Sequence, residues 1–384
     1  MKYQYLFAAI AATTLLASCS QDETVEMKSA EGIQFRTSVH TATRSNVLNK
    51  GADLQEFYVH GISKTNSGLS FADKYTHSGN DWKAENGVHY WPGDGSNLQF
   101  YAFSPASLAA SAEVTEAVQQ IKNFQPAAGV ANQKDLVVAY NEGNNTKDKS
   151  GVLLFFSHAL SQIEVKAKNM NPGVMKVEVV GVKIGSVKTN GTLTLPASLT
   201  QDNQLLTSDK WDMTNATYAS YMAGNRDNTP VVLTKDEAKS IMFGDNNFMV
   251  LPQELSAWDK GKDNTGNGSY ISVLCRMSQN NGTGTYNQFF PNPNKYGEDT
   301  YGFAAVPINT EWEPGKKYTY TLHFFDENGG GGTTDPDSVD PADPDPTDPN
   351  IPGGEDIVGG EIILTVEVDG WENATMTDKG NVNM

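Results

Sequence analysis

The residue whose chemistry stands out first is Cys19, which ends an apolar run at residues 6–16 and precedes the acidic stretch SQDE at 20–23. The chain has only one other cysteine, Cys275, so at most one disulfide can form and a disulfide framework is excluded. A thiol at the end of a short apolar segment can instead accept a lipid group on its sulfur.

Residues 1–18 have the features of an export signal. Lys2 precedes an uncharged apolar run that is too short to cross a bilayer, which takes about 20 apolar residues, and the run closes on the small residues Ala17 and Ser18. Leu16-Ala17-Ser18-Cys19 resembles a bacterial lipobox, in which cleavage makes the cysteine the new N-terminus and its sulfur carries diacylglycerol. We interpret residues 1–18 as a lipoprotein signal peptide; an ordinary secreted protein is the alternative.

The residue types that perform catalysis are scattered. There is no HExxH, G-x-S-x-G or P-loop pattern among the residues. His158 beside Phe155 and Phe156 is interpreted as a hydrogen-bonded histidine of the core or of an edge, and Cys275 in ISVLCRM as a buried free thiol. We therefore expect no enzymatic activity, no cofactor and no metal site.

Composition limits the partners and the fold. The formal net charge of −18 over 384 residues makes nucleic acid and anionic lipid surfaces poor partners. No second apolar stretch of spanning length follows the signal, so the mature chain is expected to be an ectodomain, and its length of about 360 residues predicts two domains. Abundant Gly, Asn, Thr, Ser and Tyr without long amphipathic patterns predict an all-β fold.

The first strand is predicted from period-two alternation in residues 32–44. Ile33, Phe35, Thr37 and Val39 share one face, and polar residues share the other, which is typical of a half-buried strand. Further strands are predicted at residues 57–62, 88–91, 98–104, 135–140, 152–156, 161–168, 176–184, 191–195, 247–251, 270–277, 301–308 and 317–325.

Turn chemistry marks the predicted boundaries. Asn, Pro and Gly at 169–173 separate a first sandwich, residues 45–172, from a second, residues 173–325. One short helix is predicted where Thr234 to Glu237 resembles a capping box and Gly244 could end the helix.

Residues 326–360 are predicted to be an acidic Gly/Pro-rich linker. Ten acidic residues and no Lys or Arg lie between Asp326 and Asp356, and the prolines favour a solvated extended chain. The spaced aspartates lack the glycine turn and bidentate glutamate of a calcium loop. Asp337-Ser338-Val339 resembles a short O-glycosylation motif, which leaves the modification of Ser338 open.

The segment after the linker, residues 361–384, alternates again. Ile362, Leu364, Val366 and Val368 share one face of a predicted strand. A terminal strand on a long tether can reach a sheet edge in another molecule. It can equally complete its own domain.

Seven segments, in order, carry a resemblance to a known family. They are the lipobox, the strand ending in Thr43-Arg44, VHYWPGDGSNLQFYAFSP (88–105), DLVVAYN (135–141), LLFFSHALSQIEVKA (153–167), MVLPQ (249–253) and AVPINTEWEPGKKYTYTLHF (305–324). Together they are similar to the fimbrillin family of Bacteroides-type fimbriae. The acidic insertion before the last strand departs from the family pattern.

The resemblance implies a fold and a maturation pathway. The fold would be two transthyretin-like β-sandwiches in tandem, made as a lipoprotein precursor. A trypsin-like surface protease would cut between Arg44 and Ser45, removing the acylated propeptide 19–44 with its first strand. Another subunit's terminal strand would then enter the emptied groove. Residues 20–23 resemble the tag that exports some lipoproteins to the outer face of the outer membrane.

Two functions remain open from the sequence. The first is a fimbrial subunit that polymerises with like or unlike subunits by strand donation and supports adhesion. The second is a monomeric surface lipoprotein or tip adhesin that binds glycan or host protein through aromatic loops such as Tyr90-Trp91-Pro92 or the one at Trp312. Arg44 and the terminal strand separate the two, because a tethered binder needs neither.

Acylation at Cys19 is directly testable. A labelled fatty acid should mark the wild-type protein, and Cys19→Ala should abolish the label and release soluble precursor, because two or three acyl chains are needed for stable anchoring. Labelling that persists in the alanine variant would contradict the assignment.

Processing at Arg44 predicts a mature N-terminus at Ser45. Trypsin-like enzymes need an exposed, flexible basic residue, and Arg36 lies within the predicted strand, where pairing protects it. The N-terminal sequence of the protein in sheared surface filaments is the measurement. A sequence that starts at Cys19 or at Thr37 would show that the site is wrong.

Overall fold

The computed structural model describes residues 32–39, 54–79, 81–197, 206–259, 268–337 and 351–370. These residues form short strands in which apolar and polar side chains alternate, as β-branched and aromatic residues favour. The strands are β1 (Phe35–Val39), β2 (Glu56–Ser63), β3 (Phe71–Ser78), β4 (Asp81–Ala84), β5 (Leu98–Ser104), β6 (Ala112–Val114), β7 (Gln119–Phe124), β8 (Val137–Gly143), β9 (Val152–His158), β10 (Ser161–Asn169), β11 (Met175–Lys188), β12 (Gly191–Thr194), β13 (Trp211–Asp212), β14 (Tyr218–Gly224), β15 (Val231–Val232), β16 (Lys239–Ser240), β17 (Phe248–Val250), β18 (Tyr270–Asn280), β19 (Tyr286–Phe290), β20 (Gly302–Pro307), β21 (Lys316–Phe324), β22 (Thr333–Thr334) and β23 (Ile363–Gly370). The predicted all-β class is confirmed.

The strands form four sheets. Sheet 1 has the order β1-β9-β8-β5-β2-β3-β4, and sheet 2 has the order β13-β12-β7-β6. Sheet 3 has the order β16-β10-β21-β23, with β17 also on β10, and sheet 4 has the order β14-β11-β18-β20-β22, with β15 on β11 and β19 on β18. Two pairings are parallel, β1 with β9 and β10 with β21.

Sheet 1 carries apolar side chains on both faces. Its two edge strands, β1 and β4, approach within 8 Å between Cα atoms, so the sheet curls strongly. One face gathers an aromatic core that includes Phe35, Phe57 and Trp82. The other face packs against sheet 2, where Phe103 shares a core with Trp211.

Sheets 3 and 4 enclose the largest core. In β11 a bulge between Val179 and Gly181 shifts the alternation by one residue, so that Val179 and Val182 both point into this core. The same shift turns Lys183 to the outer face of sheet 4. Trp312 is fully buried here, and its indole N–H donates to the Tyr320 hydroxyl at 2.9 Å.

Most predicted strands coincide with observed ones, but residues 88–91 form none. Ten observed strands have no predicted counterpart: β3, β4, β6, β7, β13, β14, β15, β16, β19 and β22. The predicted helix at 234–244 is wrong. Lys239–Ser240 pairs with β10 instead, and the Ile241 N–H donates to the Val165 carbonyl at 3.0 Å, because Ile241 enters the core. Within the described residues the one α-helix is α1 (Pro293–Tyr296), which has Asn292 as its cap and Gly297 after it.

The predicted domain boundary follows β10 directly. β10 ends at Asn169, the first residue of the predicted boundary, and pairs over eight positions with β21, which lies far beyond that boundary. Hydrogen bonding therefore groups β10 with the later sheets. The division of the chain into two domains stays a prediction.

The ends of the predicted linker do not form a free chain. Thr333–Thr334 pairs with β20, and Ile357 is buried in the core of sheets 3 and 4. Gly330 lets two backbone segments pack closely, since a Cβ there would lie 2.3 Å from the carbonyl carbon of Gly359. Residues 338–350, with Ser338, lie outside the described residues.

Candidate functional site

The predicted site residues divide into described and undescribed groups. Cys19, Arg44 and Ser45 lie outside the described residues, so acylation and processing stay predictions. The displaced-strand residues Ile33, Phe35, Thr37 and Val39, and the donor-strand residues Ile362, Leu364, Val366 and Val368, all lie in described segments. The candidate site is therefore built from β1, β23 and the surfaces that they cover.

β1 is an edge strand whose only strand partner in the described chain is β9. Phe35 is registered with Val152, Thr37 with Leu154 and Val39 with Phe156, in parallel. Parallel pairing of a five-residue edge strand leaves the opposite side of β1 without a ladder. β1 can therefore be removed without breaking any other strand pair.

Hydrogen bonds from the backbone and from one side chain hold the N-terminal end of β1. The Val152 N–H donates to the Gln34 carbonyl at 2.9 Å, and the Arg36 Nε donates to the Gly151 carbonyl at 3.2 Å. Gly151 has φ +97°, and a Cβ there would lie 3.2 Å from the Gln34 oxygen, so this turn requires glycine. Arg36 is thus held in a paired strand.

Phe35 fills an aromatic slot in sheet 1. Its ring meets Tyr75, Phe100 and Phe57 edge to face, with centroid distances of 4.9, 5.3 and 5.7 Å. Such edge-to-face pairs add to the area-based stabilisation. Burial raises the pKa of the Tyr75 hydroxyl, and the Asp73 carboxylate raises it further, so the lining of the slot stays uncharged.

β23 is the edge strand of sheet 3. It pairs antiparallel with β21, with Leu364 opposite Leu322, Val366 opposite Tyr320 and Val368 opposite Tyr318. The predicted alternation is therefore present. In this position, however, Val366 is 37% exposed and Val368 is 53% exposed.

The two strands lie in different sheets of the same chain. β1 covers β9 in sheet 1, whereas β23 folds back on β21 in sheet 3. Ile362, just before β23, is buried in the core of sheets 3 and 4. The terminal strand thus pairs with a strand of its own chain, but its second half, with Val366 and Val368, buries little apolar surface.

The other residues considered from sequence are structural. His158 Nδ1 lies 2.7 Å from a carboxylate oxygen of Asp135, and both side chains are buried. Cys275 is buried and free, and burial raises the pKa of its thiol, which makes it unreactive. Trp312 is buried and cannot stack on a sugar, whereas the Tyr90 side chain is exposed.

A cleft that the sequence did not reveal lies beside α1. It has a volume of about 350 Å³ and is lined by Phe289, Lys295, Tyr296, Ile351 and Glu355, among others. Its walls come from residues 289–296, Thr334 and residues 351–358, which are separated in the sequence, so no local pattern marks it. In the described residues there is no group of three or more His, Cys, Asp or Glu side chains able to hold a metal ion. None of the helices described has the length and apolar character of a membrane crossing.

Comparison with known proteins agrees with the residue patterns. The fimbrillin-like family model matches residues 41–335. A fimbrial protein from Bacteroides vulgatus is 16% identical, with a TM-score of 0.55 over 88% of this chain and 99% of its own. A protein from Bacteroides ovatus described as a cell adhesion protein is 12% identical, with a TM-score of 0.45 over 90% of this chain and 99% of its own. No curated protein matches the chain.

The aromatic slot predicts a stability effect that is confined to the uncleaved chain. Phe35→Ala should lower the free energy of unfolding by about 3–5 kcal/mol, because the slot is left as a cavity. Gln34→Ala, at an exposed neighbouring position, should change it by less than about 0.5 kcal/mol. Urea unfolding of the two variants checks this, and equal midpoints would show that Phe35 does not stabilise the precursor.

Proposed function

Because the chain belongs to the fimbrillin-like family, we propose that it is a structural subunit of a surface fimbria. It is exported as a lipoprotein, cleaved after Arg44 and polymerised by donor-strand exchange. The observation that carries this proposal is β1, a removable edge strand near the start of the chain with one aromatic ring in a preformed slot. A subunit of this kind supports adhesion of the cell that bears it.

The first step is anchoring at the outer membrane. Removal of residues 1–18 leaves Cys19 as an acylated N-terminus on the cell surface. While propeptide 19–44 is attached, β1 occupies its place on β9, and the slot is full. Premature assembly is blocked because no acceptor surface is open.

The second step is proteolysis by a trypsin-like surface protease. Arg44 lies five positions beyond the end of β1 at Val39. The competing residue, Arg36, is inside β1 and donates to the Gly151 carbonyl, so cleavage there needs local unfolding first. Cleavage after Arg44 gives a mature chain that starts at Ser45 and has lost its covalent tie to the membrane.

The third step is opening of the groove. Loss of β1 uncovers the backbone N–H and C=O groups of β9 and the ring faces of Phe57, Tyr75 and Phe100. An unpaired sheet edge beside an apolar slot recruits an extended chain by β-augmentation. The emptied site therefore selects a strand with apolar residues at every second position.

The fourth step is donation of β23 by another subunit. Its apolar residues repeat every second position, like those of β1. The half-exposed Val366 and Val368 gain burial on moving into a closed groove, and full burial of such a side chain is worth about 1.5–3 kcal/mol. Val366 and Val368 are therefore the residues of β23 that gain most from the exchange, which offsets part of the cost of leaving β21.

The monomeric binder remains the second candidate. Val88 and Tyr90 are exposed in the segment between β4 and β5, and the cleft beside α1 combines aromatic and charged groups. Either surface could bind a sugar or a peptide without polymerisation. The assembly experiment below separates the two functions.

Assembly should depend on the inward face of β23. We expect the double variant Leu364→Asp/Val366→Asp, and separately deletion of residues 361–384, to give folded, trypsin-cleaved monomers that no longer form ladders on gels. Burying a carboxylate in an apolar groove is unfavourable. Thr365→Asp, on the opposite face, should still polymerise. Unchanged ladders from the double variant and the deletion would defeat strand donation. If both fail to fold, β23 belongs to its own sandwich and the binder is favoured.

A further inference from the structure

Lys183 is the most deeply buried cation described in the molecule. Its side chain is 0% exposed although it lies on the outer face of sheet 4, where the β11 bulge directs it. Its neighbours across the strands are Met222 and Ser272. A lysine in this environment requires a compensating charge, because an isolated buried ammonium group is strongly unfavourable.

The compensating charge comes from the far end of the chain. Nζ of Lys183 lies 2.9 Å from Oδ2 of Asp335, whose side chain is 1% exposed. The Nζ also donates to the backbone carbonyl of Asp337. The rings of Phe303 and Tyr270 pack around the ammonium group, with centroids 4.3 and 5.8 Å away.

Asp335 directly follows β22 and is itself fixed by the backbone. Its N–H donates to the Phe303 carbonyl at 3.1 Å, and its Oδ1 accepts from the Asp337 N–H at 2.6 Å. β22 alone is a two-residue strand with two registered pairs on β20. Its other hydrogen bonds join Thr334 to residues 352–355, which lie in the stretch that has to leave during donation. Once that stretch has left, the buried charge pair is the interaction that supplements the two pairs on β20.

β23 is held in a different way. It has eight registered pairs on β21, but its outer apolar side chains are largely exposed and it has no buried charge. We propose that Lys183 and Asp335 form an anchor that keeps β22 in its own subunit during strand exchange, so that only the chain beyond Asp337 is donated. The inference rests on the proposed function and specifies which part of the C-terminal segment moves.

The chain between the anchor and β23 is long enough for β23 to be donated to another subunit. Residues 338–362, roughly 25 positions, can span up to about 80 Å when extended. The packed stretch 351–362 must peel away for that reach, and Ile357 and Ile362 then leave the core. In the polymer, a pulling force on the donated strand acts on its own subunit at Asp337. The charge pair transmits this force to β11, which is paired with β14 on one side and β18 on the other.

Two disulfide locks test the anchor in the full chain carrying Cys19→Ser. Ala305→Cys/Thr333→Cys ties β22 to β20, and Thr321→Cys/Thr365→Cys ties β23 to β21; both join directly opposed antiparallel residues. After trypsin cleavage the oxidised β22 lock should polymerise like the parent, whereas the oxidised β23 lock should polymerise only once reduced. Assembly of the β22 lock that appears only on reduction would overturn the anchor. Assembly of the oxidised β23 lock would instead refute donation by β23, and the anchor with it.

Hydrogen exchange tests the charge pair itself. Lys183→Met should speed exchange of the amides of residues 333–335 by about tenfold or more, because Asp335 is left buried without its partner. Exchange in β18 should not change. Lys188→Met, at a half-buried position of the same strand, is the matched control. Equal rates in the two variants, or equal acceleration throughout sheet 4, would overturn the assignment of Lys183 as a local anchor.

Discussion

The edge of β9 must be covered, and the rest of the molecule is arranged around that requirement. An uncovered strand offers a row of unpaired backbone groups to any extended chain. β1 satisfies them within the chain, and Phe35 fills the aromatic slot beside them. Under the proposed function, removal of β1 would turn the same edge into a binding site for a strand of another subunit.

A buried ion pair connects two distant parts of the chain, β11 and the segment after β22. Lys183 and Asp335 are 152 positions apart, yet each is the other's counter-ion. Removing one partner of such a pair is costly, whereas exposed pairs contribute little. The bulge at Gly181 is what brings Lys183 to the outer face, and a Cβ on Gly181 would lie 2.6 Å from the Met222 side chain. The β11 bulge thus places Lys183 where it can pair with Asp335.

Local patterns predicted the strongly alternating strands well. The predicted bounds of β5 match the observed ones, those of β9, β10 and β21 agree to within two residues at each end, and β18 extends three residues beyond its predicted end. The missed strands β3 and β7 mix charged and polar residues on their outer faces, so their alternation is weak. The capping pattern at Thr234 also failed, because Leu233 and Ile241 bury their side chains in the core and pull the segment out of helical geometry. Burial outweighed a capping preference worth about 1 kcal/mol.

The composition of residues 326–360 predicts a linker, whereas the described ends of this segment contact the sheets. Glycine-rich sequence is compatible with flexibility and with close packing of two backbones, and composition does not distinguish them. At Gly330 the backbone of residues 358–360 approaches so closely that only glycine fits. The aromatic slot around Phe35 could not be predicted from local sequence patterns either. Phe35 was expected to be buried, but its neighbours come from three strands that are distant in sequence.

The sequence by itself determined the all-β class, the export signal pattern, the family resemblance and the alternation of β1 and β23. These depend on periodicity and on short motifs, which are local. Tertiary structure alone decided that β1 pairs in parallel with β9, that β23 rests on β21 with its outer half exposed, and that Lys183 meets Asp335. Those outcomes depend on which edges and charges the folded sheets bring together, and no stretch of sequence carries that information before the sheets have formed.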